Sequence, residues 1–269
     1  MKSRVLNLFV VILIASAASI SAQTETNVDP YKPGESLSFV GKYKRFGLSF
    51  TVGVFNFTVS KTSDNKNYFI RSEAKSKGAL IKLFNFKFLQ RFDSTVDSNT
   101  LQILKTVKRD QQGKRIRDSQ ADFDYEEKKV SWVETDPSDS TRPPKRVASS
   151  IEPGVQDIVT AAYMLRQKPL AVGKKFVLKV SDSGLVYDVP ISITGREQKK
   201  SILGKLWCWR IEPEIFGQGK FIEQKGSLTF WITDDARRIP IRAKLKTKFG
   251  DVHIKLKKID YKKTVSEKK

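Results

Sequence analysis

Apolar residues alternate with polar ones along most of this chain, and that period of two constrains the fold more than any other feature. A strand puts successive side chains on opposite faces, so alternation marks a sheet with one buried face. Leu37, Phe39, Gly41 and Tyr43 share one face of a first strand. Leu48, Phe50, Val52 and Val54 share a face of the next, whereas Phe55, Phe57 and Val59 continue it on the other parity. A bulge near Gly53 accounts for the change. Further strands are read at Tyr68–Ser72, Leu101–Val107, Phe123 with Tyr125, Val130 with Trp132, Phe176–Val180, Tyr187–Ile193, Ile202–Glu212, Leu228–Ile232, Ile239–Leu245 and Val252–Leu256. Ala79–Phe92 fits a strand through Phe84, Phe86 and Phe88, but Leu80, Leu83 and Phe84 also fit a helical turn; a strand is favoured.

One segment breaks the alternation. Asp157 follows Pro153-Gly154 and precedes Ile158, Ala161, Ala162 and Leu165, one apolar face of a helix, with Pro169 beyond it. A carboxylate at that position accepts the free backbone N–H groups of the first turn, so Asp157 is expected to cap a helix from about Ile158 to Gln167. The fold class is therefore mostly β: an antiparallel, strongly curved sheet or two packed β lobes, with one short helix near the middle.

The amino terminus has the layout of an export signal. Lys2 and Arg4 precede an apolar run from Val5 to Ala18, and small residues surround Ala22. Residues 1–22 are read as a signal peptide cleaved near Ala22. The run is short for a membrane span, and no second apolar stretch approaches that length. The protein is thus expected to be periplasmic or otherwise exported, with no transmembrane segment after cleavage. Pro137, Pro143 and Pro144, set among Ser, Asp and Thr, give the strongest linker signal. It divides residues 23–144, an N-terminal β lobe, from residues 145–258, the helix plus a C-terminal β lobe. Residues 259–269 read as a basic tail.

Three tracts carry a resemblance. They are Gly34-Glu35-Ser36-Leu37-Ser38-Phe39 with Tyr43; the helix Asp157–Arg166 followed by Pro169-Leu170-Ala171-Val172-Gly173; and Phe230-Trp231-Ile232-Thr233-Asp234-Asp235-Ala236-Arg237-Arg238-Ile239-Pro240. Together they resemble the bacterial exported family called domain of unknown function 3108, over about Pro33 to Leu256. The resemblance implies an exported antiparallel β protein and transfers no catalytic residue.

Composition excludes several chemistries. One Cys, Cys208, excludes an intrachain disulfide and a Cys-based zinc site, and one His, His253, excludes a multi-His metal centre. No cofactor, metal or catalytic residue is assigned. Asp234-Asp235 read as a turn with Arg237 and Arg238 as ion partners, because adjacent strand residues point to opposite faces. Cys208, between Trp207 and Trp209, reads as a buried inert thiol. Gly217-Gln218-Gly219 lacks the helix start of a dinucleotide fingerprint. Phe84, Phe86, Phe88, Trp207, Trp209, Phe230 and Trp231 fit either plain sheet core or a groove for acyl chains or glycans.

Charge points outward. The formal net charge is +21. Lys244, Lys246, Lys248, Lys255 and Lys257 alternate with apolar residues on two strands. If the strands pair, these residues form a basic sheet face. That face is either ordinary solvated surface or a site for anionic lipid, lipopolysaccharide or an acidic envelope polymer. Lys outnumbers Arg 35 to 15, which argues against nucleic acid, since Arg is preferred for bidentate phosphate and base recognition. The expected function is a non-enzymatic binding or scaffolding module using that face. A carrier holding a lipid or other apolar ligand in the curved sheet is the alternative, and an envelope hydrolase is the third.

Overall fold

The computed structural model describes residues 29–78, 87–218, 225–247 and 250–262. The signal-peptide reading, the strand-or-helix tract up to Phe86, the tail beyond Lys262 and Lys248 lie outside them. The described chain forms fifteen strands and one helix. The first eight strands are β1 (Glu35–Arg45), β2 (Leu48–Lys61), β3 (Asn67–Ser76), β4 (Phe88–Asp97), β5 (Ile103–Gln112), β6 (Arg115–Asp124), β7 (Lys129–Thr135) and β8 (Lys145–Ser150). Next come the two-residue β9 (Gln156–Asp157) and the helix α1 (Ile158–Met164). The remainder are β10 (Lys175–Asp182), β11 (Leu185–Ser201), β12 (Gly204–Pro213), β13 (Gly226–Thr233), β14 (Pro240–Thr247) and β15 (Gly250–Tyr261).

All fifteen strands belong to one sheet, in the order β8-β7-β6-β5-β4-β3-β2-β1-β15-β14-β13-β12-β11-β10-β9. The topology is two antiparallel meanders joined where the first strand pairs with the last, with the two-residue β9 added parallel to β10 at one edge. Of the two architectures expected, the strongly curved sheet is the one formed. Each strand pair adds right-handed twist, so a sheet this wide must curl to bury its apolar face. It curls until its ends approach one another. Lys108 on β5 pairs with Asp182 at the tip of β10, 3.3 Å apart. Gly184 in the β10–β11 turn lies so close to β7 and β8 that a Cβ there would meet Val147 and Trp132 at 2.8 and 2.9 Å.

The Pro-rich tract before Lys145 is an exposed loop between β7 and β8, which pair directly, Trp132 opposite Val147. Pro and Ser mark a loop there and not the edge of a lobe. Strand β15 also runs past residue 259, with Ile259 opposite Leu37 and Tyr261 opposite Glu35. The expected bulge is present: Gly41 faces Gly53 but Lys42 faces Thr51, so Val52 is the extra residue.

Helix α1 lies inside the curl and serves both wings. Val159 and Tyr163 join the cluster of Val59, Ile70, Val96 and Trp132. Ala161 and Leu165 join Val180, Ile191, Ile193 and Ile232. Seven residues cannot form a stable helix alone, so this two-sided packing holds it. Asp157 caps it as expected, although the helix ends at Met164 and not near Gln167. Its carboxylate accepts from the Thr160 N–H while the Thr160 hydroxyl accepts from the Asp157 N–H, a reciprocal capping box.

Candidate functional site

Directly paired residues of an antiparallel ladder share a face, so the register builds the basic surface. Arg242 lies opposite Lys255, Lys244 opposite His253, and Lys246 opposite Asp251. On the other side of β15, Lys42 lies opposite His253 and Lys44 opposite Asp251. Lys257 is the extra residue of a second bulge, between the pairs Ser38–Lys258 and Phe39–Leu256, and remains exposed. The structure therefore brings four of the five sequence-identified lysines, Lys244, Lys246, Lys255 and Lys257, onto one convex face. It adds Lys42, Lys44 and Arg242. Their alternation was visible in the chain, but nothing local reveals that β1 lies beside β15.

Asp251 partly neutralises this cluster through an ion pair with Lys244 at 2.8 Å. The remaining field is strong enough to be felt by its members. Partial burial and then the charges of Arg242, Lys44, Lys257 and Lys42 hold the Lys255 ammonium below its usual range. Burial, followed by Lys44 and Lys244, also lowers the His253 pKa, so the imidazole is neutral at neutral pH. It therefore adds no positive charge to the face under those conditions.

The other sequence candidates separate. Asp234 pairs with Arg196 at 2.5 Å, and Asp235 with Arg237 at 2.6 Å. Burial raises the Asp235 pKa, but hydrogen bonds from Arg237 and Thr233 outweigh it and hold the carboxyl below its usual range. Two carboxylates with separate cation partners are turn chemistry, not an acid/base pair. The aromatic residues divide between faces. Phe230 lines a cavity on the concave side. Trp231 turns to the convex side, donating from Nε1 to Glu197 at 2.6 Å beneath the Lys199 ammonium. The Arg196 guanidinium lies over Trp207 and Trp209, at 4.6 and 5.8 Å from their ring centres.

Cys208 is fully buried, and burial pushes its thiol up to about 11. Thiolate is the reactive form. The native protein is therefore expected to resist a soluble thiol reagent at neutral pH and to label fully in denaturant. Stoichiometric labelling within seconds under native conditions would contradict that placement.

The concave side holds a cavity of about 140 Å³ where α1 faces the middle of the sheet. Leu37 and Phe39 of β1, Phe55 and Phe57 of β2, Phe230 of β13 and Ile254 of β15 line it. The Arg166 guanidinium, 2% exposed, forms part of its wall, and Nη2 lies 2.9 Å from Glu35 Oε1. Sequence reasoning missed this ion pair, because 131 positions separate its partners and neither lies in a charge pattern.

Residues 38–257 match the family model described as Protein of unknown function (DUF3108). The chain belongs to the DUF3108 family. No curated protein is significantly similar to it in sequence. Among solved structures, this DUF3108 chain resembles a beta-barrel-like protein of domain of unknown function DUF1849 from Brucella abortus. The two share 11% identity over 86% of this chain and 99% of the other, with a TM-score of 0.58. A protein of YmcC-like fold from Bacteroides fragilis, proposed to be exported, also aligns. It shares 9% identity over 86% of this chain and 98% of the other, with a TM-score of 0.36. The Brucella structure supports a barrel-like β fold for the DUF3108 chain and specifies no activity. Among the described residues, no helix is long and apolar enough to cross a membrane. No group of three or more His, Cys, Asp or Glu side chains among them could hold a metal ion.

Proposed function

We propose that this DUF3108 protein is an exported, non-enzymatic binding module of the cell envelope that engages an anionic surface through the convex face of β14, β15 and β1. The observation that supports this reading is the convergence of Lys42, Lys44, Arg242 and Lys257 on Lys255, whose own charge they disfavour. Such mutual repulsion is relieved when negative charge approaches. The Lys2–Arg4, Val5–Ala18 and Ala22 pattern supports export.

Each Lys near an anionic membrane contributes about 1 kcal/mol, and salt weakens the attraction by shortening the Debye length. Vesicles containing phosphatidylglycerol are therefore expected to co-sediment the protein at low salt. Changing Lys42, Lys44, Lys246, Lys255 and Lys257 to Gln removes most of that binding. Phosphatidylcholine vesicles bind neither form. Equal sedimentation of the wild type and the five-fold variant would leave these lysines as solubilising surface only.

A second reading, a carrier for an apolar ligand, draws on the concave cavity. Its volume is close to that of a dry cavity able to admit a benzene-sized molecule. Native mass spectrometry of protein purified from its own envelope would show such a ligand directly.

A further inference from the structure

The tip of the β1–β2 hairpin breaks two rules of soluble surfaces. Arg45 pairs with Leu48, so Phe46 and Gly47 form a two-residue loop. Both have positive φ, 48° and 77°, the pattern of a tight hairpin turn that Asn-Gly or Asp-Gly fills at least cost. A bulky side chain in that left-handed region is uncommon. The comparable β10–β11 turn fills it with Ser183-Gly184, at 52° and 78°. The tip is also apolar in the open. Phe46 is 88% exposed, Leu48 60% and Phe50 36%. Three large exposed apolar side chains at the tip of one hairpin form a local patch of the kind that marks an interaction site.

The same hairpin supplies charge immediately behind the tip. Lys42 and Lys44 stand on its convex face, beside Lys246 and Lys255 of the neighbouring strands. Apolar side chains at the leading end with ammonium groups one layer back match the boundary between acyl chains and anionic headgroups. A second copy of this chain fits the patch poorly, because joining two tips would bring two clusters of like charge together. An acidic polymer in water offers nothing apolar for Phe46 and Leu48 to enter.

We infer that the β1–β2 tip is a membrane wedge: Phe46, Leu48 and Phe50 insert into the outer part of an anionic bilayer leaflet while Lys42, Lys44, Lys246 and Lys255 contact its headgroups. This rests on the proposed basic-face reading and names the surface as lipid. The wedge explains why Phe46 occupies a turn position suited to Asn. Phe46→Asn is therefore expected to leave folding stability unchanged or raise it, yet lower the partition onto anionic vesicles. With Leu48→Ser added, the loss reaches at least about tenfold, given the apolar area withdrawn from the bilayer.

The experiment places an environment-sensitive fluorophore on Phe46→Cys; Cys208 is buried, so labelling is selective. Glu126→Cys, in the β6–β7 turn at the opposite end of the sheet, is the control. With phosphatidylglycerol vesicles, the label at 46 is expected to shift to the blue. It should be quenched by lipids brominated near the headgroup and be shielded from aqueous iodide, while the label at 126 stays aqueous. If the protein sediments with vesicles but the label at 46 remains open to iodide, the wedge is wrong and the basic face stands alone. If nothing sediments, both readings fall. Shielding that grows with protein concentration in the absence of vesicles would assign the tip to a second copy and overturn the wedge.

Discussion

Replacing Arg166 with Ala is expected to destabilise the protein by about 3–5 kcal/mol, the usual cost of leaving one partner of a buried ion pair without the other. Arg166 and Glu35 have side chains 2% and 0% exposed. Nη1 of Arg166 donates to the Pro30 carbonyl at 3.2 Å, and its guanidinium stands 4.8 Å from the Tyr163 ring centre. The contact between Nη2 and Glu35 Oε1 is close in distance but outside hydrogen-bond angles, and Glu35 Oε2 has no hydrogen-bond partner among the described residues. The pair is thus held by charge more than by directed bonds. Without the guanidinium, the Glu35 carboxylate loses its counter-ion in a site that water does not reach.

A compensated variant separates the pair's net contribution from the penalty of breaking it. Glu35→Leu with Arg166→Met removes both charges and preserves most of the volume. Buried ion pairs often exchange for apolar residues with little loss, so the double variant is expected near wild-type stability. Urea midpoints with unchanged slopes provide the measurement. A loss below about 1 kcal/mol for Arg166→Ala would contradict the burial of Glu35. A double variant as unstable as either single one would instead mean that the pair positions α1 rather than simply neutralising itself. Arg166 follows the end of α1, and Glu35 opens β1, where the two meanders meet.

Glu35 and Arg166 mark the boundary of what the sequence makes legible. Period-two alternation shows which face of a strand an individual residue occupies, because that is a property of the strand itself. It correctly divides Leu37 and Phe39 from Ser38 and Val40, and it exposes the bulge beside Gly53. It is silent on which strand lies beside which. The basic face was therefore legible in β14 and β15, which are joined by a hairpin, and not in Lys42 and Lys44, which arrive from the opposite end of the chain. The loop before Lys145 shows the converse. Pro137, Pro143 and Pro144 correctly mark the loop between Thr135 and Lys145, but local chemistry cannot tell a loop within one sheet from a gap between two. The exposed tip went unread for a related reason: Leu48 and Phe50 alternate like core residues, and only the fold leaves them exposed.

Asp157 carries the same lesson into energetics. A cap read from sequence alone is expected to contribute about 1 kcal/mol. The folded chain raises that expectation, because this carboxylate has a second set of partners. Oδ1 accepts from the Thr160 N–H at 2.7 Å and from its hydroxyl at 2.9 Å. Oδ2 accepts from the Ser94 hydroxyl of β4 and from the Thr106 hydroxyl of β5, the latter at 2.8 Å. Asp157 is 2% exposed, Ser94 0% and Thr106 7%, so water cannot replace a lost partner without a cavity opening. Asp157→Ala leaves one backbone and three hydroxyl donors without their acceptor. Each buried unsatisfied group costs about 1–3 kcal/mol, and the losses overlap because the groups share one site. The expected total is about 3–5 kcal/mol. Asp157→Asn tests the argument, since its amide oxygen can keep the cap while its NH₂ donates to hydroxyls that turn to accept. Its loss is expected to be about 1–2 kcal/mol, with α1 amides still protected in hydrogen exchange. Equal losses for Ala and Asn would show that charge, not the hydrogen-bond count, fixes the helix to β4 and β5. A loss of only about 1 kcal/mol for Ala would show that the Ser94 and Thr106 bonds contribute nothing beyond the cap.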